Sequence, residues 1–365
     1  MSERQFPCEQ CGANLKYAPG QEVLHCEYCG HDTPLEVDES ASVVEQDFHQ
    51  ALRDLAGTAT ENKTCSVNCG GCGAQVEFDE KTAADECPFC GATLVADMEE
   101  RMVIRPESLL PFKVSRDQAQ ASFLCWINGL WFAPGDLKKR AKADSKLNGI
   151  FLPHWTYDCD TTTVYRGSRG DHYYETEHYT TTDSQGKTVH RTRQVRKTRW
   201  RSASGTVFNT FDDVLINASH SLPQKYVQKL EPWDLRNLVA YDDQYVSGFR
   251  AEIYQVGLEE GFGHAQQTMD PRIRQTVRRD IGGDEQRINH MQVAYRDITF
   301  KHLLLPVWLS TYPYNGKPFR FMINARTGEV QGERPWSVLK IVLLVLGILA
   351  LVGLFVLVAA LKSTH

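Results

Sequence analysis

A surplus of either charge is missing from this chain. Its 365 residues hold 40 Lys and Arg against 46 Asp and Glu, a net charge of −6, so the whole molecule is not a basic nucleic-acid binder. Low-complexity bias is missing too. With 42% hydrophobic and 24% charged residues, a mostly disordered or collagen-like chain is excluded. Long apolar runs are absent except at one place, which excludes a polytopic membrane protein. The opening residues Met1-Ser2-Glu3-Arg4-Gln5 hold no apolar stretch of the kind a secretory leader needs. There is no P-loop and no G-x-G-x-x-G, so the common phosphate cradles are excluded as well.

Cysteine, by contrast, is abundant. Eight of the 11 cysteines form four C-x-x-C pairs: Cys8/Cys11, Cys26/Cys29, Cys69/Cys72 and Cys87/Cys90. A C-x-x-C turn presents two thiolates at the bite a tetrahedral zinc ion requires, and two such turns make a zinc ribbon. The pattern Cys8-x2-Cys11-x14-Cys26-x2-Cys29 recurs as Cys69-x2-Cys72-x14-Cys87-x2-Cys90 at an offset of 61, with gaps just short of the usual spacing. Cys11-Gly12-Ala13 matches Cys72-Gly73-Ala74, and Cys29-Gly30 matches Cys90-Gly91. A redox role is disfavoured because no βαβ pattern surrounds the pairs. Four thiolates close each site to water, so two structural Zn2+ sites are expected rather than a catalytic one. Of the leftover thiols, Cys65 is expected to be free or a spare ligand, Cys125 core, and Cys159 without a partner.

Charge divides the chain. Residues 1–105 carry 7 Lys and Arg against 20 Asp and Glu, a net of −13; residues 106–365 carry 33 against 26, a net of +7. Each four-thiolate zinc adds further negative charge to the ribbons, which argues against phosphate contact there and towards protein contact or a structural role. The expected organisation is a zinc ribbon at 1–33, an acidic linker with a short helix at 34–64, a second ribbon at 65–95, a β-rich α+β domain at 108–335 and a transmembrane helix at 338–361.

Within the linker, Ser42 and Glu45 fit a capping box for a helix over Val43–Leu55. Ser115 and Gln118 fit another, for a helix over Ser115–Trp126. Asp136–Lys146 reads as a short basic helix. Strands are expected to about 217, then a helix over Gly257–Ile281 broken or kinked at Pro271. Strand returns over Ile288–Tyr314, and a hairpin over Phe319–Gln331 turns at Ala325-Arg326-Thr327-Gly328. Phe151-Leu152-Pro153-His154-Trp155 resembles Leu304-Leu305-Pro306-Val307-Trp308, so a duplicated β-rich module and a chance match both stand.

One stretch is basic. Lys187, Arg191, Arg193, Lys197, Arg199 and Arg201 share one face if the segment is a strand. Pairing with Tyr173–Thr182 across Asp183–Gly186 sets Glu175 beside Gln194 and Glu177 beside Thr192, on the opposite face. The positive face then suits anionic lipid headgroups, an acidic protein surface such as the chain's own ribbons, or simple solvation. No convincing active site emerges. Asp212 and Asp213 are adjacent strand residues and should point apart. Ser219-His220-Ser221 lacks a nucleophile elbow, and the glycines of 257–264 lack the lysine of a P-loop. An enzyme is not expected.

Ile341–Leu361 is 21 residues without a charge, enough to cross a hydrocarbon core. Arg334, Trp336 and Lys340 precede it and Lys362 follows. The positive residues and the reducing environment that thiolates need place residues 1–335 in the cytosol, tail-anchored in the cytoplasmic membrane.

The twin ribbons, Tyr165-Arg166-Gly167-Ser168-Arg169-Gly170-Asp171, Thr198-Arg199-Trp200, Phe211-Asp212-Asp213-Val214-Leu215, Ser221-Leu222-Pro223 and the stretch Leu304–Pro335 together resemble a bacterial family, the TFIIB-type zinc-ribbon membrane proteins. Some of these carry a primosomal-helicase-like name, but no helicase motif is present here. The resemblance implies partnership with membrane-stress proteins of the phage-shock-protein-A-like and SPFH-like kinds. The expected function is a membrane-anchored zinc-ribbon scaffold or adaptor. Its alternatives are a membrane-tethered nucleic-acid binder and an anionic-lipid-binding module, both using strand 187–201.

Overall fold

The computed structural model describes residues 6–36, 43–57, 63–70, 74–77, 84–87, 89, 92–95, 99–102, 104–137, 147–182, 186–315 and 317–363. The chain is mixed α+β and mostly sheet. Short strands β1 (Lys16–Tyr17), β2 (Val23–His25) and β3 (Asp32–Pro34) form one antiparallel sheet. After β4 (Gln46–Asp47) comes helix α1 (Phe48–Gly57). β5 (Lys63–Asn68), β6 (Gln75–Glu77) and β9 (Glu99–Met102) make a second small sheet, and β7 (Ala84–Glu86) pairs with β8 (Thr93–Val95). Then follow β10 (Ser108–Leu109), α2 (Arg116–Gly129), and the long strands β11 (Asn148–Thr182) and β12 (Thr188–Asn217). Short pieces α3 (Gln224–Val227), β13 (Val239–Ala240), α4 (Asp243–Val246) and β14 (Arg250–Ala251) lead to α5 (Leu258–Ile281). The chain closes with β15 (Glu285–Tyr314), β16 (Lys317–Asn324), β17 (Val330–Gly332) and α6 (Val338–Ser363).

Three strands of 35, 30 and 30 residues dominate, in the order β12-β11-β15. Strands normally stop after five or six residues. Burial explains how these persist. Phe151–Tyr157 is buried on both faces. Burial then alternates through Cys159, Thr161, Thr163 and Tyr165, the period of a strand covered on one side only. The cover is α5, whose Phe262, Ala265, Met269, Ile273, Val277 and Ile281 are all buried against it. Pro271 sits on the exposed side of α5, and the helix runs through it unbroken. The expected interruption does not occur.

The two similar words meet across the centre: Phe151 faces Pro306, Leu152 faces Leu305 and Pro153 faces Leu304. Each half runs short strand, helix, long strand, hairpin partner. β10 lies parallel to β15, and β14 lies parallel to β11, so each half lends its short strand to the other's long one. Trp308 Nε1 donates to the Val114 carbonyl at 2.8 Å, and Trp155 Nε1 donates to the Val256 carbonyl at 2.9 Å. Each valine directly precedes a helix N-cap, Ser115 or Gly257. Phe112 meets Trp308 at 5.1 Å as Tyr254 meets Trp155 at 5.0 Å. The two words occupy equivalent places in these two halves.

Local expectations fare unevenly. The capping box of α2 forms between Ser115 and Gln118. Cys125 is exposed rather than core. Ser42 lies outside the described residues, and α1 starts instead at Phe48, with Asp47 accepting from the Gln50 N–H at 2.6 Å. Most of the expected basic helix after Asp136 also falls outside the described residues. Gly328, at φ 80°, takes the turn between β16 and β17.

Gly261 gives one test of the packing. A Cβ there would lie 2.4 Å from the Tyr157 hydroxyl and 3.0 Å from Trp155 Cδ1. Tyr157 is fully buried and donates to the Leu258 carbonyl at 2.7 Å, so it has nowhere to go. Gly261→Ala should cost about 1–3 kcal/mol by overpacking, despite alanine's better helix propensity. Chemical denaturation checks it. A neutral or stabilised variant would mean that α5 is free to shift.

Candidate metal centre and basic arm

The cysteine turns build themselves from backbone hydrogen bonds. The Cys8 N–H donates to the Ala13 carbonyl at 2.7 Å, and the Gly12 N–H donates to the Cys8 carbonyl at 2.8 Å. The Cys26 N–H donates to His31 at 2.9 Å, and the Gly30 N–H to Cys26 at 2.9 Å. Gly12 and Gly30 take φ of 74° and 75°, the left-handed region where a side chain costs most, which is why glycine follows the second cysteine of each pair. The four sulfurs of Cys8, Cys11, Cys26 and Cys29 lie within 4.8 Å of one another. Cys8 and Cys29 sulfurs are 3.6 Å apart, and those of Cys11 and Cys26 are 3.5 Å apart. A tetrahedral ion with bonds of about 2.3 Å holds its sulfurs about 3.8 Å apart, so the set could hold a metal ion. Backbone N–H groups, first that of Cys29 and then that of Tyr28, draw the Cys26 thiol down to about 6.

The second pair of turns follows the same rule where it is described. The Cys69 N–H donates to the Ala74 carbonyl at 2.8 Å and the Cys87 N–H to the Ala92 carbonyl at 2.7 Å, the same five-residue reach as in the first. Cys69 and Cys87 are buried. Cys72 and Cys90 lie outside the described residues. The backbone of Cys65 belongs to β5, opposite Glu100.

Neither cysteine module stands apart. The Tyr17 N–H donates to the Ser247 carbonyl at 3.0 Å, and the Ser247 hydroxyl donates to Leu15 at 2.7 Å. The Tyr17 ring meets Tyr245 at 5.4 Å, and Leu15, Tyr17 and Leu24 share one core with Phe112, Phe151 and Trp308. Cys69, Ala74, Cys87 and Phe89 join the core on the other side, with Leu110, Ile150 and Leu305.

The basic segment forms as a strand, but its register corrects the sequence reading. Pairing closes at Thr182 with Thr188, so Glu175 faces Val195 and Glu177 faces Arg193. Gly186, at φ 78°, keeps Lys187 within the turn and off the strand face. A slip of one residue moves every side chain to the other face. The carboxylates therefore stand among the cations: Arg193 meets Glu177 at 3.0 Å and Lys197 meets Glu175 at 2.5 Å. The face carries Arg191, Arg193, Lys197, Arg199 and Arg201, with Asp171, Glu175 and Glu177 between them, and it is far less positive than the sequence implied. Arg199 lies over the Tyr173 ring at 5.0 Å and Arg193 over Tyr179 at 5.7 Å.

This segment belongs to an arm. β15 leaves β11 at Gly170 opposite Glu285, while β11 and β12 continue alone to the turn. About 12 residues at about 3.3 Å each make a two-stranded ribbon about 40 Å long. None of its described residues is buried, and Tyr174 is 68% exposed.

A third cluster was missed. Asp212 and Asp213 stand opposite the single Asp158 at a bulge, and Asp213 takes φ 52°. Strand alternation fails at a bulge, so the argument that separated the two carboxylates does not hold. Oxygens of Glu45, Asp158 and Asp212 lie within 4.8 Å of one another. Lys301, almost fully buried, sits among them, 2.8 Å from Asp213, 3.1 Å from Glu45 and 3.8 Å from Asp158. Burial raises the Asp158 carboxyl to about 6, against the pull of the Asp213 N–H and Lys301. Burial also opposes ionisation of Glu45, but hydrogen bonds from Thr299 and Lys301 hold its carboxyl below the usual range. Lys301 ties Glu45, Asp158 and Asp213 into a clasp joining β4 to the three long strands, while Asp212 stays exposed beside it. The sequence signal for it was the paired Asp212-Asp213.

The chain is 23% identical over 249 residues to the uncharacterized protein YdjG of Bacillus subtilis (strain 168), a match covering 68% of each chain. No family model matches it. No solved structure matches it either.

Proposed function

We propose that this protein is a zinc-stabilised, membrane-anchored scaffold that presents the β11–β12 arm to partner proteins in the cytosol. Zinc is the ion best suited to four thiolates at these separations, since it is tetrahedral, redox-silent and thiophilic. Repetition of the turn hydrogen bonds at Cys69 and Cys87 supports a second site completed by Cys72 and Cys90. The anchor would be α6, whose Val338–Val356 is long and apolar enough to cross a membrane and is not buried by the rest of the chain.

The observation that carries it is the arm's place. β11 starts at Asn148 beside Leu309, in the region where Tyr314 reaches Asp136 and α6 begins. It then runs 35 residues away, about 110 Å of strand at about 3.3 Å per residue. A basic face at that far end is badly placed for lipid of the membrane that holds α6. It is well placed for a soluble or peripheral partner, such as the phage-shock-protein-A-like and SPFH-like proteins that the resemblance implies.

Replacing residues 174–196 by Asn-Gly would keep the Tyr173–Lys197 pair and close a short hairpin. Metal content and melting temperature should not move, because the removed residues bury nothing. Proteins captured with the full-length chain from gently solubilised, nuclease-treated membranes should be lost. Retention of the same proteins would sink the scaffold reading of the arm. If the purified full-length chain instead binds added nucleic acid, with binding that weakens steeply in salt and vanishes on Arg191→Glu/Arg193→Glu, the nucleic-acid reading takes its place.

A further inference from the structure

We propose that the loop 130–135 is a second membrane contact, an aromatic foot that rests in the headgroup region beside α6 and fixes the tilt of the cytosolic domain. This rests on reading α6 as the anchor.

The loop is pinned by turn hydrogen bonds and turned outward. The Leu130 N–H donates to Ile127 at 3.2 Å, Ala133 N–H to Leu130 at 3.1 Å and Leu137 N–H to Pro134 at 3.2 Å. Ala133 and Leu137 are buried, yet Trp131 between Leu130 and Phe132 is 80% exposed. A fixed loop that holds its largest apolar side chain in water carries a cost unless something covers it.

The neighbouring helix says what covers it. Lys340 Nζ donates to the Trp131 carbonyl at 3.0 Å and to the Ala133 carbonyl at 2.8 Å. The Ser337 N–H donates to Phe132 at 2.7 Å, and the Phe132 and Trp336 rings lie 6.3 Å apart. Arg334 lies over the Trp336 ring at 4.2 Å. The apolar helix begins at Val338, and its uncharged run begins directly after Lys340. A residue bonded to Lys340 must then lie at the membrane boundary. Tryptophan is the side chain that prefers that depth, with its ring among the acyl carbons and its N–H among the headgroups. Two attachments, α6 and the loop, stop the domain from swivelling about a single helix.

The test uses the full-length protein in phosphatidylcholine vesicles whose acyl chains are brominated near the headgroup. Trp131 and Trp336 should be the quenched emitters. Trp131→Phe should remove about half of the quenchable emission. Trp200→Phe, at the base of the arm, should remove none of it. If Trp131→Phe leaves the quenchable share unchanged while Trp336→Phe abolishes it, the anchor stands and the foot is wrong. If no tryptophan is quenched and the protein does not float with the vesicles, the anchor reading fails first and takes the foot with it. The Trp131→Phe variant is expected to melt like the wild type, since the exposed ring packs nothing.

Discussion

Cys26→Ser should reduce the bound metal from two ions per chain to one and unfold the first cysteine module. The strands β1, β2 and β3 are two or three residues long, far too short to stand without a cross-link. Under the proposed zinc reading, an ion held by Cys8, Cys11, Cys26 and Cys29 supplies that cross-link. The module is also part of the main core, so its loss does not stay local. Tyr17 would leave the rings of Tyr245 and Phe249, and Leu15 and Leu24 would leave the cluster around Phe112 and Trp308. Structural zinc in small peptides is worth about 10–16 kcal/mol. Here the β-rich domain holds much of its own structure, and the expected destabilisation is about 3–5 kcal/mol, comparable to emptying one large core position. Metal analysis, limited proteolysis within the first 36 residues and a thermal melt would check the three consequences separately. Cys125→Ser is the control, since that thiol is exposed and outside either cysteine set. A Cys26→Ser protein with full metal content and an unchanged melt would end the structural-zinc reading.

What could be read from the residues, and what could not, follows the range of each interaction. The Cys8–Cys29 site was legible because metal ligation constrains a few atoms at fixed spacing, and spacing is written in the chain. So was the N-terminus of α2, where Ser115 and Gln118 satisfy each other's backbone within one turn. The repeated Leu-Pro words were visible, but their meaning was not. Only the structure shows Leu152 facing Leu305 and the exchange of β10 and β14 between halves, contacts made across 100 residues or more. The register of the arm was lost by one residue because the number of residues a turn consumes is not fixed by pattern. Gly186 holds Lys187 in the loop, and that alone placed Glu175 and Glu177 among the arginines. Asp212 and Asp213 escaped for the same reason in another form. Alternation is a rule for regular strand, and a bulge at Asp213 suspends it.

Glu252→Gln should flatten much of the protein's pH-dependent stability. The fold repeat makes Glu252 the counterpart of Leu110, two residues into each half from the start of its short strand, and both are buried. A carboxyl thus stands where the other half has a leucine. Ser221 donates to one of its oxygens, while the other oxygen is buried with no hydrogen-bond partner among the described residues. Burial pushes the Glu252 carboxyl up to about 8 from an ordinary 4.5, outweighing the hydrogen bond from Ser221. The folded chain therefore keeps a proton that the unfolded chain gives up above about 4.5. Between those values the folded state binds more protons, so stability falls as pH rises. The contribution is fully present below about 4.5 and gone above about 8, a span of roughly 4–5 kcal/mol at 1.36 kcal/mol per pH unit. Asp158 and Glu107, raised by burial to about 6 and about 7, slope the same way. His154 and His302, lowered by burial to about 4, slope the opposite way at acid pH. Comparison of the variant with wild type cancels these other groups. Gln is neutral at every pH and keeps an oxygen for Ser221, so the two proteins should be nearly equal at pH 5. The variant should gain steadily towards pH 8, where it should be the more stable by about 3–4 kcal/mol. Urea denaturation with metal retained, at both pH values, measures the difference. Parallel curves would show that Glu252 is already ionised in the folded protein, and that a partner for its second oxygen holds it there.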